Sequence, residues 1–221
     1  MIRGPGRYRK REESACRRMA PIEPAIMMSL FILARHAQST LNLQERVNGD
    51  PEVHVGLTEE GVRQARWLKL QVAHLPIDEC VHTRFQRTRQ TAAIVLEGRD
   101  VPLREEPLLD DIDVGDLEGH TYAEYRAWKR AHPRSEPFPG GESLDHTAAR
   151  YARAFAQLAL NGSPVVLVVC HEIPLRYALN VAGGSESLEA PVHSVLNATP
   201  FLFDSAELER AALLIERLAH T

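Results

Sequence analysis

The sequence predicts an α/β fold, a single domain built on a doubly wound, mostly parallel sheet flanked by helices. Three observations carry this. SLFILA (29–34) and PVVLVV (164–169) are unbroken apolar runs of strand length, the second almost entirely β-branched, as expected of strands covered on both faces. Segments with helical periodicity lie between and around them. The two kinds of segment alternate, and a helix is the usual crossover between parallel strands.

Taken in order, SLFILA is the first strand and runs into the polar stretch RHAQST. LTEEGVRQARWLKLQVAHL (57–75) is a helix, with Thr58 as N-cap, acids in its first turn, and Val62, Ala65, Leu68, Leu70 and Val72 mostly on one face. ECVH (79–82) is a short strand, 88–96 a second helix, and VPLRE (101–105) a third strand. Residues 108–119 form a loop rich in acids and glycine. Helices fit 122–131 and, after the breaker PFPGG, 143–160. PVVLVVCH is the clearest strand of the chain. Late strands are expected at 200–203 and 211–218, although ELERAALLIERL has equally good helical propensity. The first 27 residues are dense in Arg, Glu, Pro and Gly without an apolar period, so they are expected to form a disordered extension ahead of a domain spanning 28–221. The pair Met27-Met28 stands directly before the first strand as an alternative start.

Composition narrows the function. With 44% hydrophobic residues in 221, the chain can bury one sizeable core. A formal charge of −4 from interspersed acids and bases argues against a surface built for nucleic acid or for an anionic membrane. Cys16, Cys80 and Cys170 are odd in number and lack ligand-like spacing, which argues against a disulfide framework and a zinc site and favours a reducing cytoplasm. No apolar run has spanning length, and the basic start lacks a signal-peptide core. The expectation is a soluble cytoplasmic protein, with homodimer formation left open.

The two strongest strands both end in histidine: SLFILA runs into Arg35-His36, and PVVLVV through Cys170 into His171. In a doubly wound sheet both emerge at the same carboxyl edge, where ligands bind. Two imidazoles and a guanidinium in one crevice make an anion clamp, and the fork of Arg matches phosphate geometry. A neutral imidazole there can act as nucleophile while neighbouring cations offset charge on a transferring phosphoryl group.

FILARHAQSTLN resembles the strand-loop signature of the phosphoglycerate-mutase-like branch of the histidine phosphatases, Arg-His-Gly-(Glu/Gln)-(Thr/Ser) followed by Asn. Four further stretches are similar in type and order: GLTEEGVRQA; HTRFQRTRQTA, against Ser-x-x-x-Arg-x-x-Gln-Thr-Ala; LLDDIDVGDLEG, against Leu-x-Glu-x-x-x-Gly-x-x-Glu-Gly; and PFPGGESLDH with VVCHEIPLRYAL, against the Gly-Gly-Glu-Ser and second-histidine segments. The resemblance spans about residues 29–199 and implies the phosphoglycerate-mutase-like fold. It implies His36 as the phosphorylated nucleophile, Arg35 and Arg87 as phosphate-holding guanidiniums, and His171 as the second imidazole. Asn42 and Ser39 would add phosphate contacts, and Asp111 stands at the place of the carboxylic proton donor. Arg84 and Arg89 are left as solvated neighbours of Arg87. Three positions depart from the pattern. Ala37 replaces glycine, at a cost of about 1 kcal/mol if its φ is positive. Asp111 replaces Glu and is one methylene shorter. Glu172 follows His171 where close relatives carry glycine and the phytase-like branch an acidic donor, so either Asp111 or Glu172 can be the acid.

The resemblance implies a phosphatase that hydrolyses a small-molecule phosphate monoester through a phosphohistidine, with no metal and no cofactor. A phosphomutase is the alternative within enzymes, and a binding or regulatory module with weak turnover the alternative outside them. The segment 119–143 would set specificity. Tyr122, Tyr125 and Trp128 within it lie at helical spacing and are expected in the core rather than as a ligand stack.

Overall fold

The structure, a computed structural model, describes Met1 and residues 28–220. The expectation for the N-terminal extension lies outside the described residues. β1 (Leu30–Arg35), β2 (Glu79–His82), β3 (Leu103–Glu105), β4 (Val165–Cys170) and β5 (Pro200–Asp204) form one sheet in the order β3-β2-β4-β1-β5. β1, β2, β3 and β4 pair in parallel, and β5 runs antiparallel along β1.

The alternation of side chains along the central strands divides the core in two. Phe31 and Leu33 of β1, with Val166 and Val168 of β4, face α5 (Leu144–Ala159), α6 (Glu172–Ala182) and α7 (Ser205–Ala219). Ile32 and Ala34, with Leu167 and Val169, face α2 (Glu59–Gln71) and α3 (Gln86–Leu96). Helices on both faces are why these strands read as continuous apolar runs. Thr58 caps α2 through its hydroxyl, as its position ahead of two acids predicts. α4 (Tyr122–Ala131) stands over the carboxyl edge of the sheet, entered through the capping box of Thr121 and Glu124.

Two expectations are corrected. The segment 211–218 is not a strand but the body of α7. Leu208, Ala211, Ala212, Ile215 and Ala219 recur at helical spacing on its buried face against α5, and Asp204 and Glu207 form a capping box at its start. α6 was not among the expected helices, and it carries Pro174. The proline lies in the first turn, where a missing N–H removes no helical hydrogen bond. A one-turn helix, α1 (Thr40–Leu43), also follows β1. Among the described residues no helix is long and apolar enough to cross a membrane.

Candidate active site

β1 and β4 are parallel neighbours with Arg35 opposite Cys170, so the residues that follow them, His36 and His171, meet at the carboxyl edge. Their rings are 5.4 Å apart and meet edge-on, and the His36 N–H donates to the Cys170 carbonyl at 2.9 Å. Both side chains are buried.

Arg87, in the first turn of α3, joins them. Its Nε–H donates to His36 Nε2 at 3.0 Å and Nη2 donates to His171 Nδ1 at 3.1 Å. A guanidinium has no acceptor, so both of those imidazole nitrogens carry lone pairs. The proton on each ring is then on the other nitrogen: His36 Nδ1–H donates to the Ala37 carbonyl at 2.8 Å, and His171 Nε2–H donates to Thr83 Oγ1 at 2.9 Å. Burial, then the charges of Arg87 and Arg35, hold the His36 pKa well below the ordinary imidazole value, against an opposing push from the Ala37 carbonyl. His171 is held down by burial and by Arg87 in the same way. Phe85 packs under the arrangement, its ring 4.2 Å from the Arg87 guanidinium and edge-on to His171.

Asp111 hangs into the cleft from the loop after β3, with Oδ2 3.0 Å from Arg87 Nη2 and 3.4 Å from His171 Nδ1. Burial raises its pKa, and the Arg87 charge opposes the rise. The loop is braced from below. Arg150 donates to the carbonyls of Leu108, Asp110 and Asp111 and pairs with Glu142 at 2.7 Å, and Tyr151 donates to the Asp110 carbonyl. Gly115 in this loop has φ +50° and lies where a Cβ would stand 2.1 Å from the Pro139 carbonyl, so the PFPGG turn packs backbone to backbone against it.

Glu172 is the first residue of α6, and the turn begins at once after β4, which brings its carboxylate into the cleft and to 2.5 Å from Arg35 Nη1. Arg35 also donates to the Val195 carbonyl at 2.7 Å. Ser39 and Asn42 cap α1 reciprocally, and Asn42 Nδ2 donates to the Tyr122 hydroxyl at 2.9 Å. The eight residues singled out in the sequence therefore all line or adjoin one cleft of about 240 Å³. Ala37 is buried against α2 and α3 and does not have positive φ, so the cost expected there does not arise. Arg84 and Arg89 are exposed, though Arg84 also pairs with Asp110 at 2.5 Å. Trp128 is half-buried and packs on Phe138 against the core, and Tyr122 and Tyr125, also packed against it, line the cleft as well.

Several site residues carry no sequence signal of their own. Asn48 accepts from Arg87 through both its side-chain and its backbone oxygen, and Glu118 holds Asn48 in place. Thr83 fixes the tautomer of His171, and Asn197 Nδ2 donates to the His36 carbonyl at 2.7 Å. Thr83 stands at the Ser position of the HTRFQRTRQTA motif, the one signal that could have found it. Among the described residues no three His, Cys, Asp or Glu side chains come together to hold a metal ion. Positive charge facing the cleft comes from guanidinium and ammonium groups.

The fold thus brings two strand-end imidazoles together around one buried guanidinium. The chain belongs to the histidine phosphatase superfamily (branch 1), whose family model matches residues 31–204. It is 32% identical over 197 residues to a 2,3-bisphosphoglycerate-dependent phosphoglycerate mutase of Methylobacterium sp. (strain 4-46), covering 80% of this chain and 91% of that protein. It is 33% identical over 208 residues to the mutase of the same name from Beijerinckia indica, covering 87% and 93%. Among solved structures, a putative alpha-ribazole-5'-P phosphatase from Escherichia coli K-12 has the same fold, with a TM-score of 0.71 at 24% identity over 80% of this chain and 90% of that one. A mycobacterial glucosyl-3-phosphoglycerate phosphatase has it with a TM-score of 0.63 at 22% identity, covering 80% and 90%.

Proposed function

We propose that this protein is a phosphatase that hydrolyses a small-molecule phosphate monoester through a phosphohistidine on His36. The observation that carries the reading is the state of that ring: Nδ1–H is tied to the Ala37 carbonyl and the Nε2 lone pair faces the guanidinium of Arg87. Depression of its pKa keeps the ring neutral, and therefore nucleophilic, at neutral pH. In the first step Nε2 attacks phosphorus, the N–P bond forms as the ester P–O bond breaks, and the leaving alkoxide takes a proton from Asp111. Arg87 and Arg35 offset charge on the three non-bridging oxygens, and His171 holds Arg87 in place through its Nδ1 lone pair. In the second step Asp111 takes a proton from water, which attacks phosphorus, and phosphate leaves with the bonding pair returned to Nε2. The raised pKa of Asp111 suits the acid role.

Water reaches this cleft. His193, Ser194 and Arg126 line it and are exposed, and α4 is the one regular helix between the acid loop and α5. That favours hydrolysis. The names of the sequence relatives favour a second reading, a mutase that returns the phosphoryl group to a sugar-acid hydroxyl. One experiment addresses both. Turnover of p-nitrophenyl phosphate is expected, with a base-stable, acid-labile phosphoenzyme trapped on mixing, and His36→Ala is expected to abolish both. Wild-type turnover in His36→Ala overturns the reading, and a phosphoenzyme that discharges to phosphoglycerate rather than to water replaces it with the mutase.

A further inference from the structure

Tyr122 opens α4 and is fastened at both ends to the segment that follows β1. Its backbone N–H donates to the Glu45 carbonyl at 2.7 Å, and its hydroxyl oxygen accepts from Asn42 Nδ2 at 2.9 Å. Glu45 is held there at φ +53°, a left-handed conformation that a residue with a side chain keeps only where its surroundings fix it. The Asn42 bond has a fixed direction. Ser39 N–H donates to Asn42 Oδ1 at 3.2 Å, and a backbone N–H can only donate, so the amide nitrogen is the end that faces Tyr122. An amide nitrogen also only donates. The phenol oxygen is therefore the acceptor in that pair, and its own proton must go elsewhere. Among the described residues no acceptor receives it, and Tyr122 and Asn42 both line the cleft. Burial raises the Tyr122 pKa above the ordinary phenol value, against the Asn42 bond and the Arg35 charge, so the proton is present at neutral pH.

The donors that a phosphoryl group meets in this cleft are fewer than two guanidiniums suggest. Arg87 has five N–H groups, and four are committed inside the protein. Nε–H goes to His36, one Nη1–H to the Asn48 side chain, and the Nη2 pair to the Asn48 carbonyl and to Asp111 and His171. Arg35 commits Nη1 to the Val195 carbonyl and to Glu172. The Tyr122 proton is uncommitted. It shares the cleft with both guanidiniums, and Arg35 is near enough for its charge to act on the phenol. A charged oxygen can therefore take this proton with no loss of any hydrogen bond within the fold. We propose that Tyr122 is a phosphate-binding residue whose O–H, aimed by Asn42, donates to a non-bridging oxygen of the phosphoryl group. The proposal rests on the reading above, in which that group moves to His36, but its central claim is about binding of the anion and is measured without turnover.

The test is the affinity for inorganic phosphate, measured by calorimetry in wild type and in Tyr122→Phe. Phenylalanine fills the same space and removes only the hydroxyl, and water can take the Asn42 bond, so the variant is expected to fold. Its dissociation constant for phosphate is expected to rise about 10- to 100-fold, the range for losing a hydrogen bond to a charged group. The kcat/KM values for p-nitrophenyl phosphate and for an alkyl phosphate are expected to fall together, because both esters share the group that is bound. In wild type labelled with ¹³C at the tyrosine Cζ, one signal is expected to shift on saturation with inorganic phosphate and to be absent from Tyr122→Phe. An unchanged dissociation constant in the folded variant overturns the proposal. So does a wild type in which no tyrosine signal shifts, a result that stands even if the variant does not fold. A defect confined to the alkyl ester overturns it too, since that would put the proton on the leaving oxygen. Phosphate binding that weakens as expected, in a protein that turns over no phosphate ester, would sink the phosphatase reading and leave this assignment standing.

Discussion

Two carboxyl side chains enter the cleft, and their partners assign them different work. Glu172 is engaged by Arg35 at 2.5 Å and stands 3.9 Å from Arg176, so it serves as counter-ion to cleft guanidiniums. Asp111 lies beside His171 Nδ1, a lone-pair nitrogen, and burial raises its pKa. A carboxyl that keeps its proton relieves the acceptor–acceptor approach of Asp111 Oδ2 and His171 Nδ1, and that proton is what a leaving alkoxide needs. Asp111→Asn is therefore expected to depress kcat for an alkyl phosphate by about 10²- to 10⁴-fold while sparing an aryl phosphate, whose leaving group needs little protonation. Glu172→Gln is expected to change KM for both esters and to show no alkyl selectivity. Measuring the two variants on one alkyl and one aryl ester decides the matter, and an alkyl-selective defect in Glu172→Gln alone would transfer the acid role to that residue. The pH dependence follows the same assignment. With Asp111 raised, the alkyl reaction declines as pH rises through its pKa. With His36 lowered, the decline on the acid side lies below the range of an ordinary imidazole.

At the scale of elements, the parts of the site that were legible in the sequence are those in which chemistry sits at the end of a strand. β1 and β4 announce themselves by their apolar runs, and parallel pairing then brings His36 and His171 together without further information. The supports were not legible. Asn48, Thr83 and Asn197 are ordinary polar residues whose partners lie 39, 88 and 161 positions away, a separation that only the folded chain closes. α6 was not foreseen, and 211–218 was misread because a short apolar run has no decisive period until the facing helix is known. The brace under the acid loop shows how much such supports carry. Arg150 is largely buried, pairs with Glu142 and satisfies three loop carbonyls. Arg150→Met would leave the Glu142 carboxylate without its main cation and those carbonyls short of a donor, at a cost of about 3–5 kcal/mol by denaturant unfolding. Because the loop carries Asp111, the alkyl reaction should suffer more than the aryl one. A variant as stable as wild type would show that Glu142 and the loop find other partners.

For the whole molecule, the same burial that keeps His36 and His171 neutral puts a limit on stability in acid. His36 and His171 are held neutral in the folded state with pKa values well below 6.5, whereas in the unfolded chain they titrate normally. Groups depressed by folding contribute nothing adverse above the unfolded pKa. As pH falls below about 6.5 the unfolded state takes up protons that the folded state refuses, so stability drops by up to about 1.4 kcal/mol per pH unit for each histidine, until the folded pKa is reached. Asp111 works the other way: its raised pKa favours the folded state as pH falls from that pKa toward the ordinary carboxyl value near 4, and so offsets part of the histidine loss. Between pH 7 and 5 two imidazoles oppose one carboxyl, so the net slope runs toward lower stability in acid. For a domain of this size 1 kcal/mol moves Tm by about 2–4 °C, so acidification across that window should lower Tm by several degrees. Replacing both rings with neutral amides, His36→Asn with His171→Asn, should flatten the dependence even if the double variant is less stable at pH 7. The measurement is Tm by calorimetry at half-unit intervals for wild type and the double variant. Equal slopes in the two proteins would mean that the acid sensitivity arises elsewhere, among the exposed histidines or the carboxylate pairs, and that the two buried imidazoles are not held neutral by the fold.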